Sequence, residues 1–217
     1  VVVLGLSLMA CGPSDMPSPD EGSEAIGSAS DAIVNGTVDN GNPAVVALIS
    51  PFGFSCSGTL IRPNVVLTAA HCVPPHISDF GANSYDDMQV FFGTNVQAGG
   101  TVVDVIDGWT HPGWNIDTIE HDIALLRLAG PGPTAPIPFA TEPFSGFDVG
   151  TTVEIVGFGR SSSQSQDYGV KQKASTQISE IYQYIFTMDI SPAGTCNGDS
   201  GGTTLMATND GTVVAGI

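Results

Sequence analysis

Apolar residues fall in short runs along this chain: Val45–Ile49, Val65–Thr68, Gln89–Phe92, Thr101–Ile106, Ile123–Leu128, Thr152–Val156, Tyr184–Met188 and Val213–Ile217. The runs are rich in β-branched and aromatic residues and are bounded by Gly, Pro, Asn and Ser. The 3.6-residue spacing of an amphipathic helix is nearly absent. Short strands punctuated by turn formers predict an all-β sandwich or barrel. A length of 217 residues suits one large all-β unit or two small ones. Near the middle the pattern breaks at Gly130-Pro131-Gly132-Pro133-Thr134-Ala135-Pro136, where Pro and Gly prevent regular structure, and this stretch reads as a connector.

The first 32 residues follow different rules. Val1 to Ala10 is an unbroken run of apolar and small residues, too short to span a bilayer but suited to the apolar region of a signal peptide. There is no starting Met and no basic flank, so the expectation is a chain whose natural beginning lies upstream. Gly12 to Ala32 is rich in Pro, Ser, Gly, Asp and Glu, a composition that cannot bury a core and predicts a disordered tether. The expected organisation is therefore a signal segment over 1–11, an acidic tether and activation segment over 12–32, and a folded domain over 33–217.

Charge narrows the partners. The formal net charge is −17, and Arg62, Arg127, Arg160, Lys171 and Lys173 are the only lysines and arginines. So acidic a surface repels phosphate backbones, which argues against nucleic-acid binding. Two explanations of the acidity stand side by side: solubility or a salty setting, and steering of substrate.

Three segments carry candidate chemistry. Cys196-Asn197-Gly198-Asp199-Ser200-Gly201-Gly202 presents a serine in a glycine-rich turn. Glycines allow a backbone that aims successive N–H groups at one spot, as acyl transfer needs around its nucleophile. Thr68-Ala69-Ala70-His71-Cys72 places a histidine after an apolar run, and His121-Asp122-Ile123-Ala124-Leu125-Leu126 opens another run with an aspartate. Histidine is the side chain that ordinarily titrates near neutrality, which suits a general base. Taken alone, the serine segment would also fit an ordinary turn.

In the order His, Asp, Ser, these segments resemble the trypsin/chymotrypsin family of serine proteases; the same triad on other folds comes in other orders. Ile33-Val34-Asn35-Gly36 resembles the N-terminus that this family exposes on zymogen cleavage. The resemblance spans Ile33 to Ile217 and implies two antiparallel six-stranded β-barrels with the triad in the cleft between them. The first barrel would run from about Ile33 to Ala129. The final segment, Val213 to Ile217, looks like the strand leading into the family's substrate-pairing segment, so the second barrel is expected to be truncated.

The resemblance also assigns roles. Ser200 would be the nucleophile, His71 the base, and Asp122 the acceptor that holds the histidine. The N–H groups of Gly198 and Ser200 would form the oxyanion hole. Asp199 would pair with the α-amino group released at Ile33 by cleavage after Ala32. Because Ala32 is neither Arg nor Lys, a trypsin-like activator is not implied. Gly194, six residues before the nucleophile, would floor the primary pocket and, being uncharged, favours apolar or small side chains. Cys56 and Cys72 would form the disulfide beside the histidine, and Cys196 would pair beyond Ile217. Leu8-Met9-Ala10-Cys11 resembles a bacterial lipobox, making Cys11 a lipidated membrane anchor; an ordinary signal peptide containing a cysteine is the alternative.

The expected activity is that of a serine endopeptidase, secreted or held at the cell envelope, acting on protein or peptide substrates after an activating protease has cut it. No metal or organic cofactor is called for. A non-catalytic binding protein or a truncated inactive remnant on the same fold is the alternative. His76, His111 and His121 are given no role; strand alternation would point His121 away from its neighbour Asp122.

Overall fold

The computed structural model describes residues 33, 36–51, 53–74, 84–145, 148–160, 168–182, 185–189, 194–195 and 197–217. The expected signal segment and tether, including Cys11 and Ala32, lie outside the described residues, as do His76 and Cys196. The described residues form strands β1 (Thr37–Val38), β2 (Val45–Ser50), β3 (Gly53–Arg62), β4 (Val65–Thr68), β5 (Gln89–Phe92) and β6 (Thr101–Thr110). There follow β7 (Ala124–Leu128), β8 (Thr152–Gly157), β9 (Gln172–Ile181), β10 (Phe186–Met188), β11 (Thr203–Thr208) and β12 (Gly211–Gly216). The molecule is all-β, in two six-stranded antiparallel sheets.

The first sheet closes into a barrel in the order β2-β3-β4-β7-β6-β5, with β5 pairing back onto β2. Side chains alternate across a strand, and here both faces are buried. Val46 and Leu48 point into the barrel core with Leu60, Val66, Val90, Phe92, Leu126 and Leu128. Val45 and Ala47 point the other way, meeting Leu67 and Phe91 of the barrel and Val156, Phe158, Leu205 and Val214 of the second sheet. Burial on both faces is why β2 and β5 read as continuous apolar runs rather than alternating ones. At this interface Phe91 and Phe158 stack edge to face, with ring centroids 6.4 Å apart.

The second sheet is open, in the order β1-β9-β8-β11-β12, with β10 also on β9. Its own apolar cluster is small: Val153, Ile178, Phe186 and Ala215. The expected start of the first barrel at Ile33 needs correction. Strand β1 pairs not with the barrel but with β9, through Thr37↔Lys173 and Val38↔Gln172. The connector over 130–136 carries no strand and lies along the barrel, where the Gly132 N–H donates to Pro63 O at 2.7 Å.

Candidate active site

Antiparallel pairing of β4 with β7 sets Thr68 opposite Ala124. His71 follows the end of β4 on a single 3-10 turn, Ala70–Cys72, and Asp122 precedes β7, so both side chains emerge at the same end of the barrel. The turn is packed rather than loose: Ala69, Ala70, Cys72 and Val73 belong to the barrel core. A disulfide joins Cys72 to Cys56 on β3, with their Cα atoms 6.1 Å apart. Asp122 holds the turn twice. Its Oδ1 accepts the His71 backbone N–H at 2.8 Å and its Oδ2 lies 2.6 Å from His71 Nδ1. The carboxylate side chain is only 5% exposed whereas the imidazole is 38% exposed, so a buried acceptor orients a ring that still reaches solvent. This contact fixes the ring and leaves Nε2 as the nitrogen for proton exchange.

The Ser200 loop arrives from the second sheet and docks on the first barrel. Gly201 makes that possible: it sits at φ +72°, and a Cβ there would fall 2.2 Å from Thr68 Oγ1 and 2.6 Å from Ser57 O. Ser57, on β3, donates its backbone N–H to Ser200 O at 2.8 Å. The structure thus brings the Ser200 backbone to the His71–Asp122 end of the barrel. No hydrogen bond joins Ser200 Oγ to His71 among the described residues. Asp199 is buried, and its Oδ1 accepts the Gly159 N–H at 2.8 Å. Gly198 adopts φ +95°, a conformation that side-chain-bearing residues rarely take. Gly194 is half-buried and Ile33 fully buried.

His121 lies not in a strand but in the turn before β7, at φ +57°, and its ring stacks on His111 with centroids 4.5 Å apart. It leaves Asp122 to His71 by a turn rather than by strand alternation. Sequence reasoning missed Ser57. Its hydroxyl, fully buried, accepts the Phe158 N–H at 2.9 Å and donates to Gly198 O at 2.9 Å. A lone serine among the small polar residues after Cys56 gives no sequence signal.

Comparison with known proteins fits this geometry. The family model described as Trypsin matches residues 33–217, and the chain belongs to the trypsin family. It is 32% identical over 177 residues to a trypsin of Saccharopolyspora erythraea, an alignment covering 74% of this chain and 75% of the relative. It is 31% identical over 181 residues to brachyurin of Leptuca pugilator, covering 76% of each. It is also 29% identical over 161 residues to glucanase inhibitor protein 4 of Phytophthora infestans, covering 68% of this chain and 60% of that one.

Proposed function

We propose that the protein is a serine endopeptidase that cleaves peptide bonds through an acyl-enzyme. The observation that carries this reading is the His71–Asp122 contact of 2.6 Å at the barrel end where the Ser200 loop docks. His71 takes the Ser200 hydroxyl proton as Oγ attacks the scissile carbonyl. Asp122 stabilises the imidazolium that forms. The N–H groups of Gly198 and Ser200 receive the oxyanion. His71 then returns the proton to the leaving amine, and water releases the acyl group from Ser200 by the same steps. Gly194 floors a pocket for apolar or small side chains.

Activation is cleavage between Ala32 and Ile33 by another protease, after which the new α-amino group pairs with buried Asp199. A strained backbone supports this. Ile33 is fully buried at φ +44°, a left-handed conformation that costs a β-branched residue about 1–3 kcal/mol. Cutting the preceding peptide abolishes that torsion and its strain. The bacterial lipobox reading of Cys11 and a route to the cell surface belong to the same proposal, as do the segment boundaries at 11 and 32. If Cys11 carries the lipid and no disulfide ties the tether to the domain, the cut also frees the enzyme from its anchor.

One match favours a second reading. The resemblance to a protein named as a glucanase inhibitor is what a non-catalytic binding protein on this fold would show. Fluorophosphonate labelling and peptide hydrolysis by the wild type and by Ser200→Ala decide between them. The peptidase reading expects labelling and turnover in the wild type and neither in Ser200→Ala. An unlabelled, inert wild type bearing a free Ile33 N-terminus would overturn the peptidase reading in favour of a non-catalytic binding protein or an inactive remnant.

A further inference from the structure

We infer that the Ser57 hydroxyl is a positioning residue for the oxyanion hole: it pins the Gly198 carbonyl and thereby fixes the peptide that links the two N–H donors. The inference rests on the peptidase reading above. In a trans peptide the carbonyl of one residue and the N–H of the next point opposite ways, so the Asn197 and Asp199 carbonyls aim the Gly198 and Ser200 N–H groups directly, and the Gly198 carbonyl holds the peptide that lies between those two. Four consecutive carbonyls are held. Asn197 O accepts the Arg160 N–H at 2.8 Å, Asp199 O the Gly202 N–H at 2.7 Å, and Ser200 O the Ser57 N–H at 2.8 Å. Gly198 O accepts the Ser57 hydroxyl at 2.9 Å. Among the described residues nothing accepts from the N–H groups of Gly198 or Ser200.

The Gly198 tie differs from the other three. It is made by a side chain, and it restrains the residue with the greatest backbone freedom in the loop. A hydroxyl has one proton to give. In its fully buried site Ser57 Oγ accepts from the Phe158 N–H and gives its one proton to Gly198 O. Phe158 stands between Gly157 and Gly159, whose backbones lie against the Asp199 carboxylate. One buried oxygen therefore joins β3 of the first barrel, the end of β8 and the oxyanion loop. Its loss would free the Gly198–Asp199 peptide to rotate and so loosen the two donor peptides that flank it.

The test compares Ser57→Ala and Ser57→Gly with the wild type in the full-length, activated protein. Readouts are kcat and KM on a peptide nitroanilide, inhibition by a peptide aldehyde whose hemiacetal oxygen fills the oxyanion hole, and the melting temperature. Thr68→Val is the control: it removes another buried hydrogen bond to Ser57, from Thr68 Oγ1 to Ser57 O at 2.8 Å, without touching Gly198. Both Ser57 variants should lose about 10- to 100-fold in kcat with KM changed less than about threefold, short of the loss from deleting a donor outright. Aldehyde affinity should fall by a matching factor, while Thr68→Val lowers the melting temperature but keeps kcat within about threefold. Ser57 variants with wild-type kcat and aldehyde affinity would overturn the inference. So would losses that track melting temperature equally in Thr68→Val. A wild type without turnover or labelling would instead bring down the peptidase reading itself.

Discussion

The two sheets have the same strand number and unequal closure. The first has no edge, because β5 returns to β2, and it encloses a large apolar core. The second is a row from β1 to β12 with a small cluster of its own, and much of its buried apolar surface faces the barrel. What each contributes to the site follows the same division. The barrel supplies His71 and Asp122 from strand ends locked by pairing and by a disulfide, whereas the second sheet supplies a glycine-rich loop that takes its shape from contacts with the barrel. One unit closes on itself; the other is shaped by its neighbour.

The sharpest test of that division is chemical. Asp122→Asn should keep the barrel folded and lower kcat by roughly 10⁴-fold on a peptide substrate, because the wrong imidazole tautomer would then be held. Cavities should separate the sheets next. Leu126→Ala in the closed core should cost about 4 kcal/mol in urea denaturation, since the barrel cannot collapse around the void. Ile178→Ala should cost about 2 kcal/mol, because the open sheet can relax. Equal costs would remove the distinction. Replacing Cys56 and Cys72 together by Ala should cost about 3 kcal/mol in the chain-entropy account and loosen the His71 turn.

The smallest effect lies at the seam between the sheets. Lys171 is buried; its Nζ donates to Asn42 O at 2.8 Å and Val45 O at 3.1 Å. Burial pushes its ammonium below the usual value of 10.5, with Asp39 pulling partly the other way. Between the lowered folded value and 10.5 the unfolded chain binds more protons than the folded one, so stability rises with pH across that window. Lys173 acts oppositely and later: its hydrogen bond to Glu154 raises it above 10.5, and that contribution is lost only as pH climbs through the raised value. Lys171→Met should flatten the rise in melts run at a series of pH values approaching 10.5 from below. An unchanged slope would show that Lys171 does not set it.

The legible part of the fold was the part buried on both faces. Val45, Val46, Ala47 and Leu48 are apolar in succession because the barrel core and the interface each take alternate side chains. Strands β3, β9 and β11 escaped the pattern. β9 reads Gln-Lys-Ala-Ser-Thr-Gln-Ile-Ser-Glu-Ile, with Gln172, Thr176 and Ile178 buried and polar residues between them, so no apolar run announces it. β1 is two residues long, and its partner lies more than 130 positions away, beyond the reach of any local signal. At the site, His71, Asp122 and Ser200 were visible because each sits in a distinctive local context. Ser57 was not: its partners Phe158 and Gly198 are brought to it only by the fold.

The pairing of β1 with β9 also has a mechanical side. The chain grips the second sheet first, then builds the barrel, then returns, so the 130–136 connector is not the sole link between halves. Nicked there, the molecule would resemble two interlocked hands rather than beads cut from a string. The early fragment would still hold β9 through Thr37 and Val38 and through Lys171 reaching back to Asn42 and Val45. Such an arrangement suits split-protein complementation, with the barrel fragment and the sheet fragment made separately and each recruiting the other.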